Sequence, residues 1–287
     1  MIALAPEAPT TAPPHPWDSA AAGWNEHTRI IRQWLHDATL MMLDTAQIKP
    51  GFRVLDIAAG AGDQTLDVAC RVGESGYVLA TDISARILEL ARRNARGAGF
   101  SQIETRVADA QSLGLDGAAF DAAVCRLGLM FCSEPLAALK GARDALKPGA
   151  RFSALVFAGP QNNPCLAVTM RTARNHAGLM GEPASPFTPG TLMSLGKPGL
   201  LAQLLNDAGF VDINVQFVNA PFRLPTSRHY IDFLRSAASP VIEILAPLSA
   251  SAQADAWDDM AAQLNLFATA DGWVGPNELL LATATAC

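Results

Sequence analysis

The sequence predicts a doubly wound α/β fold: a seven-stranded, mostly parallel sheet whose last strand runs antiparallel. Three observations carry that expectation. Short apolar runs alternate with helical patterns from residue 52 onward, a glycine turn follows the first run, and an Asp closes each of the first three strands (Asp56, Asp82, Asp109).

Residues 1–16, MIALAPEAPTTAPPHP, are rich in Pro and Ala and read as a flexible tail. They carry no basic n-region and no apolar run, so no signal peptide is expected there. Residues 17–48 read as an N-terminal helical lid, because Trp24, Ile31, Trp34, Leu35, Leu40, Met41 and Leu43 recur at roughly helical spacing. Lys49-Pro50-Gly51 is a turn. The segment 49–158 then reads as the ligand-binding core. Its strands are 52–58, 77–82, 103–109, 120–128 and 151–158, and its helices are 63–72, 84–98 and 134–146. Near-continuous apolar strands are how a sheet covered on both faces reads.

From 159 to 198 the composition shifts to Pro, Gly, Asn and Met, as in an inserted, partly helical cap segment. Residues 199–225 continue the core with a helix at 200–210 and a sixth strand. Residues 226–272 are Ala-rich and helical, a cap over the substrate or a homodimer surface. Residues 273–287 supply the final strand.

Half of the 287 residues are hydrophobic and only 17% are charged, ample material for a buried core. The net charge of −6 and the lack of any Lys/Arg cluster longer than Arg92-Arg93 argue against a nucleic-acid partner. Five scattered cysteines without a Cys-x-x-Cys pair predict reduced thiols and no metal site, as in a cytoplasmic protein. No stretch approaches the roughly 20 apolar residues of a membrane span.

The glycine turn lies in VLDIAAGAGDQT, where Gly60 and Gly62 let backbone N–H groups approach a ligand. Asp82, about 20 residues on, stands where a carboxylate accepts from ribose hydroxyls. Asp56 and Asp63 flank the glycines, an arrangement that repels a pyrophosphate and suits a ligand carrying an ammonium and a sulfonium. Thr65 occupies the third glycine of G-x-G-x-x-G. A nicotinamide-dependent reductase would need Tyr-x-x-x-Lys, but Leu234 follows Tyr230 at that spacing.

With VLDIAAGAGDQT, VLATDIS, ETRVADAQSL, FDAAVCRLGLMF and LKPGARF in that order over roughly residues 50–158, the chain resembles the class I S-adenosylmethionine-dependent methyltransferases. It is most similar to their ubiquinone and menaquinone biosynthesis subgroup. The resemblance implies a Rossmann-like sheet with helical insertions forming a cap, and S-adenosylmethionine as cofactor. It implies that Asp56, Gly60 and Gly62 line the methionine end, with Ala58 where the family commonly has its first glycine and Gln64 and Thr65 adding polar contacts. Asp82 would bind the ribose and Ile83 the adenine; Asp109, with Ala110, would accept from the adenine amino group. Arg126 and Leu127 would sit near the methyl donor and the substrate.

The expected reaction is methyl transfer to a small-molecule acceptor, with oxygen on a phenol- or quinol-like ring favoured over nitrogen or carbon. The alternative is an enzyme or regulator of the same fold that binds the cofactor without transferring its methyl group. Among the lone histidines (His15, His27, His36, His176, His229), His27 is the candidate base, beside Arg126 as the other catalytic candidate, because its helix would fold over the cofactor. Trp24, with Trp17 and Trp34, is a candidate lid over the methyl donor or ordinary core. Met130, Phe131, Met170, Met180, Phe187 and Met193 suggest an apolar acceptor pocket or packing of the cap.

Overall fold

Parallel strands cannot be joined by tight hairpins and need a crossover, usually a helix. The computed structural model describes residues 17–18, 23, 25–115, 117–179, 181 and 185–287. The expected tail 1–16, Trp24 and Met180 lie outside them.

Helix α1 (Thr28–Thr45) precedes an alternating run of β1 (Arg53–Ile57), α2 (Asp63–Val72), β2 (Tyr77–Asp82), α3 (Ala85–Gly97), β3 (Ile103–Val107), β4 (Phe120–Arg126), α4 (Pro135–Ala145) and β5 (Leu146–Phe157). After α5 (Pro164–His176) and α6 (Leu200–Asp207) come β6 (Phe210–Asn219) and β7 (Phe222–Leu224). Helices α7 (Ser227–Ala237), α8 (Ser239–Leu245) and α9 (Ala250–Leu264) follow, then β8 (Ala268–Thr269), β9 (Gly272–Gly275) and β10 (Glu278–Ala286).

The main sheet has seven strands in the order β3-β2-β1-β4-β5-β10-β6. The strands from β3 to β5 are parallel, and β10 runs antiparallel between β5 and β6. The Rossmann-like architecture expected from the sequence is therefore present. The chain winds outward from β1 to β3, then returns to β4 and winds the other way. The loops leaving β1 and β4 diverge at this switch point, where open α/β sheets bind ligands. Val54, Leu55 and Asp56 of β1 are buried, as a strand covered on both faces requires.

Some elements differ from the sequence expectation. In α1 the buried face is Ile31, Trp34, Leu35, Ala38, Met42 and Leu43, while Leu40 and Met41 are each 38% exposed. An ideal 3.6-residue period turns 40 and 41 away from the face that 31, 35, 38 and 42 share. Strand β5 begins at Leu146 rather than at 151, so Lys147-Pro148-Gly149 lies inside it, beside a register shift against β4.

The sixth strand stops at Asn219. Pro221 has no N–H for the ladder, and Phe222–Leu224 joins a separate three-stranded sheet with β9 and β8. That small sheet was not anticipated. The segment 226–272, expected to be helical, holds three helices, with Pro240 at the start of α8 and Ser249 capping α9 by accepting from Ala252 N–H at 3.2 Å.

Candidate active site

The site begins where β1 ends. Ala58 takes φ 56° and Gly60 and Gly62 take 59° and 88°, so the loop turns sharply before α2. At the matching end of β4, Leu127 also has a positive φ, 56°. A non-glycine residue in this region is uncommon, and here two stand on adjacent strand ends. Between them lies Gly128, where an added Cβ would come within 2.2 Å of Ala58 Cβ. The loops of β1 and β4 thus touch through a glycine that no motif had singled out.

Asp82, closing β2, ties its neighbours to the loop: its Oδ2 accepts from Gly60 N–H at 3.0 Å and its Oδ1 from Ser84 N–H at 3.0 Å. Ser84 in turn caps α3, accepting from Ile87 N–H at 3.1 Å. Asp109 caps a short turn after β3 by accepting from Gln111 N–H at 2.9 Å.

A cavity of about 180 Å³ opens over these strand ends. Its wall includes Ala58, Gly60, Asp82, Ile83, Asp109, Ala110, Arg126 and Leu127, eight residues expected at a cofactor site and here called the cofactor half. Ile83 is 38% exposed, an apolar face beside the Asp82 carboxylate. The rest of the wall, here called the acceptor half, is mostly apolar and includes Phe131, Phe157, Leu166, Met170, Phe222 and Phe233.

Asp56, Gln64 and Thr65 lie behind the loop rather than in the cavity wall. The fully buried Asp56 carboxylate accepts from Gln64 Nε2 at 3.1 Å and from Thr65 Oγ1 at 2.6 Å. Burial pushes its pKa up to about 7, against the opposing pull of those two hydrogen bonds and of Arg126. Gly62 is likewise outside the wall; its Cα faces Ala91, which an added Cβ would approach to 3.1 Å.

Asp63 does not present a bare carboxylate: Arg126 Nη2 donates to it at 2.5 Å, and Arg126 Nη1 donates to Thr39 Oγ1 at 2.9 Å. The two carboxylates flanking the glycines are thus engaged inside the protein, one by hydroxyl and amide donors and one by a guanidinium. Discrimination against a pyrophosphate does not come from free charge at these positions.

His27 stands outside the cavity wall, its Nε2 2.7 Å from Ser236 Oγ and its ring edge-on to Phe233. His36 is exposed, His176 pairs with Asp259 at 3.0 Å and His229 with Thr226 at 2.9 Å; His15 lies outside the described residues. Trp17 lines the cavity and meets Phe131 edge-on at 4.9 Å. Trp34 is both core and wall, stacked on Phe222 at 4.0 Å with its Nε1 donating to Ala220 C=O at 2.7 Å. Met130, Phe131 and Met170 line the cavity, whereas Met193 is buried elsewhere and Phe187 is half-buried outside the wall. Tyr230, Leu234, Ala237 and Val241 reach the wall from α7 and α8, elements for which the sequence suggested no site residue.

The model of the ubiE/COQ5 methyltransferase family matches residues 27–173, just over half of the chain. The chain belongs to the ubiE/COQ5 methyltransferase family. The motifs between 50 and 158 that carried the resemblance all fall inside the match. Curated relatives include a ubiquinone/menaquinone biosynthesis C-methyltransferase UbiE of Teredinibacter turnerae, 36% identical over 122 residues, which make up 42% of this chain and 49% of that protein. One of the same name from Coxiella burnetii is 31% identical over 159 residues, 54% of this chain and 62% of that protein. The chain therefore spans about half to three-fifths of the length of these relatives. They are named for carbon methylation, so the preference for oxygen drawn from the sequence finds no support in them.

Among solved structures, the YcgJ protein of Bacillus subtilis superposes with a TM-score of 0.58 at 18% identity, covering 88% of this chain and 99% of that one. The [4+2]-cyclase SpnF gives 0.55 at 17% identity, covering 96% and 99%. At such identities the likeness is one of fold, and a fold does not fix a reaction. Among the described residues, no helix is long and apolar enough to cross a membrane.

The family's cofactor is S-adenosylmethionine, and the residues in the wall fit it. Carboxylates at the ends of β2 and β3 suit ribose hydroxyls and an adenine amine, Ile83 offers an apolar face for a base, and the Gly60 turn leaves room beside them.

Proposed function

We propose that this chain transfers the methyl group of S-adenosylmethionine to a ring carbon of an electron-rich aromatic acceptor of the hydroquinone type. The observation that carries this reading is the composition of one cavity wall, two carboxylates among a largely aromatic and aliphatic lining. Asp82 and Asp109 occupy the cofactor half, while Phe131, Phe157, Leu166, Met170, Phe222 and Phe233 wall the acceptor half. Among the described lining residues of the acceptor half there is no histidine, lysine or carboxylate.

When bound, S-adenosylmethionine supplies an activated methyl group on a sulfonium. What the chain supplies is position and a dry environment. Asp82 and Asp109 hold the nucleoside, and Gly60 keeps the loop close to it. The aromatic wall receives a flat ring edge-on or stacked, at the separations aromatic pairs favour. Orientation of this kind contributes effective molarities of about 10⁵ to 10⁸ M. A ring carbon next to a ring hydroxyl is already nucleophilic, and the ring proton it sheds once the methyl group has arrived passes to water, so this wall needs no base of its own, and neither His27 nor Arg126 is assigned proton transfer. Arg126 instead holds Asp63 at the start of α2. The names of the relatives support carbon over oxygen as the receiving atom.

The test is to incubate the chain with methyl-deuterated S-adenosylmethionine and 1,4-dihydroxynaphthalene, then locate the label by mass spectrometry and NMR. A ring-carbon label with both hydroxyls retained supports the proposal; an O-methyl product, or no transfer alongside intact cofactor binding, rejects it. The second of those results is what an S-adenosylmethionine-binding enzyme or regulator without methyl transfer would give.

A further inference from the structure

Among the described residues, two buried side-chain hydroxyls find no hydrogen-bond partner, those of Tyr230 and Thr285. Of the two, only Tyr230 stands in the cavity wall, in the acceptor half with Leu166, Thr169, Phe222 and Phe233. A buried hydroxyl without a partner has given up water for nothing, and a phenylalanine would fill the space without that cost. The ring is held in place, stacked on Trp273 at 5.1 Å between centroids and meeting Phe222 edge-on at 4.8 Å. Other polar groups of this half are engaged: Thr169 Oγ1 donates to Cys165 C=O at 2.8 Å, and Trp34 Nε1 to Ala220 C=O. Burial, with the Cys165 thiol adding to it, holds the Tyr230 phenol well above its ordinary range. It stays an O–H group and presents a donor.

We propose that Tyr230 orients the methyl acceptor, its hydroxyl donating a hydrogen bond to an oxygen substituent on the acceptor's aromatic ring. This rests on the reading of the cavity as a methyl-acceptor site. One polar anchor in a slot whose neighbouring polar groups, Thr169 and Trp34, are already engaged fixes how a flat ring is turned, and so which of its carbons faces the cofactor half. Its effect falls on acceptor affinity and on the position methylated, not on the cofactor.

The experiment is calorimetric binding of 1,4-dihydroxynaphthalene and of naphthalene to the full chain saturated with S-adenosylhomocysteine, for wild type and Tyr230→Phe. Loss of one hydrogen bond weakens dihydroxynaphthalene about tenfold. Naphthalene and S-adenosylhomocysteine bind both proteins equally, and the Tm of the variant is unchanged or higher because no internal bond is lost. Unaltered dihydroxynaphthalene binding, an equal loss for both probes, or no binding of dihydroxynaphthalene to the wild type overturns the proposal. Methylation is read separately. Tyr230-dependent binding without methylated product leaves the anchor standing and sinks the methyl-transfer reading.

Discussion

The Arg126 guanidinium lies 2.5 Å from the Asp63 carboxylate, with side chains only 6% and 12% exposed. The pair links the last residue of β4 to the first residue of α2, bridging the two elements that diverge at the switch point. Breaking a buried pair by removing one partner strands the other charge. Arg126→Ala is therefore expected to cost about 3–5 kcal/mol of stability. Urea denaturation of the two proteins checks it, and a change below about 1 kcal/mol would mean that solvent screens the pair.

Asp56 gives a pH signature. Its folded pKa of about 7 lies above the ordinary value of 3.8, so between those limits the folded chain holds a proton that the unfolded chain has released. The stabilising contribution is full below the unfolded pKa and is lost as pH rises through about 7. Asp56→Asn has no such group, and its amide oxygen can still accept from Thr65. The stability of this variant relative to wild type is expected to climb by about 1.4 kcal/mol per pH unit between roughly pH 5 and 7. Denaturation at several pH values measures the slope, and parallel curves would show that Asp56 ionises normally.

Asp82 is expected to serve the cofactor while also fastening Gly60. Asp82→Ala should raise KM for S-adenosylmethionine by about ten- to a hundredfold, the worth of one or two hydrogen bonds to a charged group. Initial rates over a range of cofactor concentrations decide this. An unchanged KM would remove Asp82 from the binding site.

Gly128→Ala would set a Cβ 2.2 Å from that of Ala58 and force the strand-end loops apart. Overpacking of this kind costs about 1–3 kcal/mol. The companion change Ala58→Gly removes the opposing methyl and relieves a residue at φ 56°. The double variant should therefore recover much of the loss, a non-additivity expected only of touching residues. Thermal unfolding of both single variants and the double variant provides the comparison; additive effects would place the strain elsewhere.

What the sequence disclosed follows physical range. The parallel core was legible because strands such as VLATD are covered on both faces and leave an uninterrupted apolar signature. Eight expected residues reached the cavity because each sits at a strand end, and the topology brings strand ends together. Gln64 and Thr65 were expected to add polar contacts to the cofactor, yet in the first turn of α2 their side chains donate to Asp56. Which way a side chain turns at the start of a helix depends on a neighbour buried behind it. Arg126 and Asp63 are 63 residues apart, and nothing local announces that they pair. The small sheet of β7, β8 and β9 was missed for the same reason. Strands of two to four residues carry too short a pattern, and only their pairing across the intervening helices defines them. Tyr230 and Phe233 are both buried residues of α7, a helix for which the sequence suggested no site role, and only the folded chain shows that they reach the cavity wall.

The central claim is that the ends of β1, β2, β3 and β4 cradle S-adenosylmethionine. Calorimetric titration of the full chain with S-adenosylhomocysteine, and separately with NAD, tests it most directly. One S-adenosylhomocysteine bound per chain and no heat from NAD is the result predicted. Saturable binding of NAD with none of S-adenosylhomocysteine would contradict it.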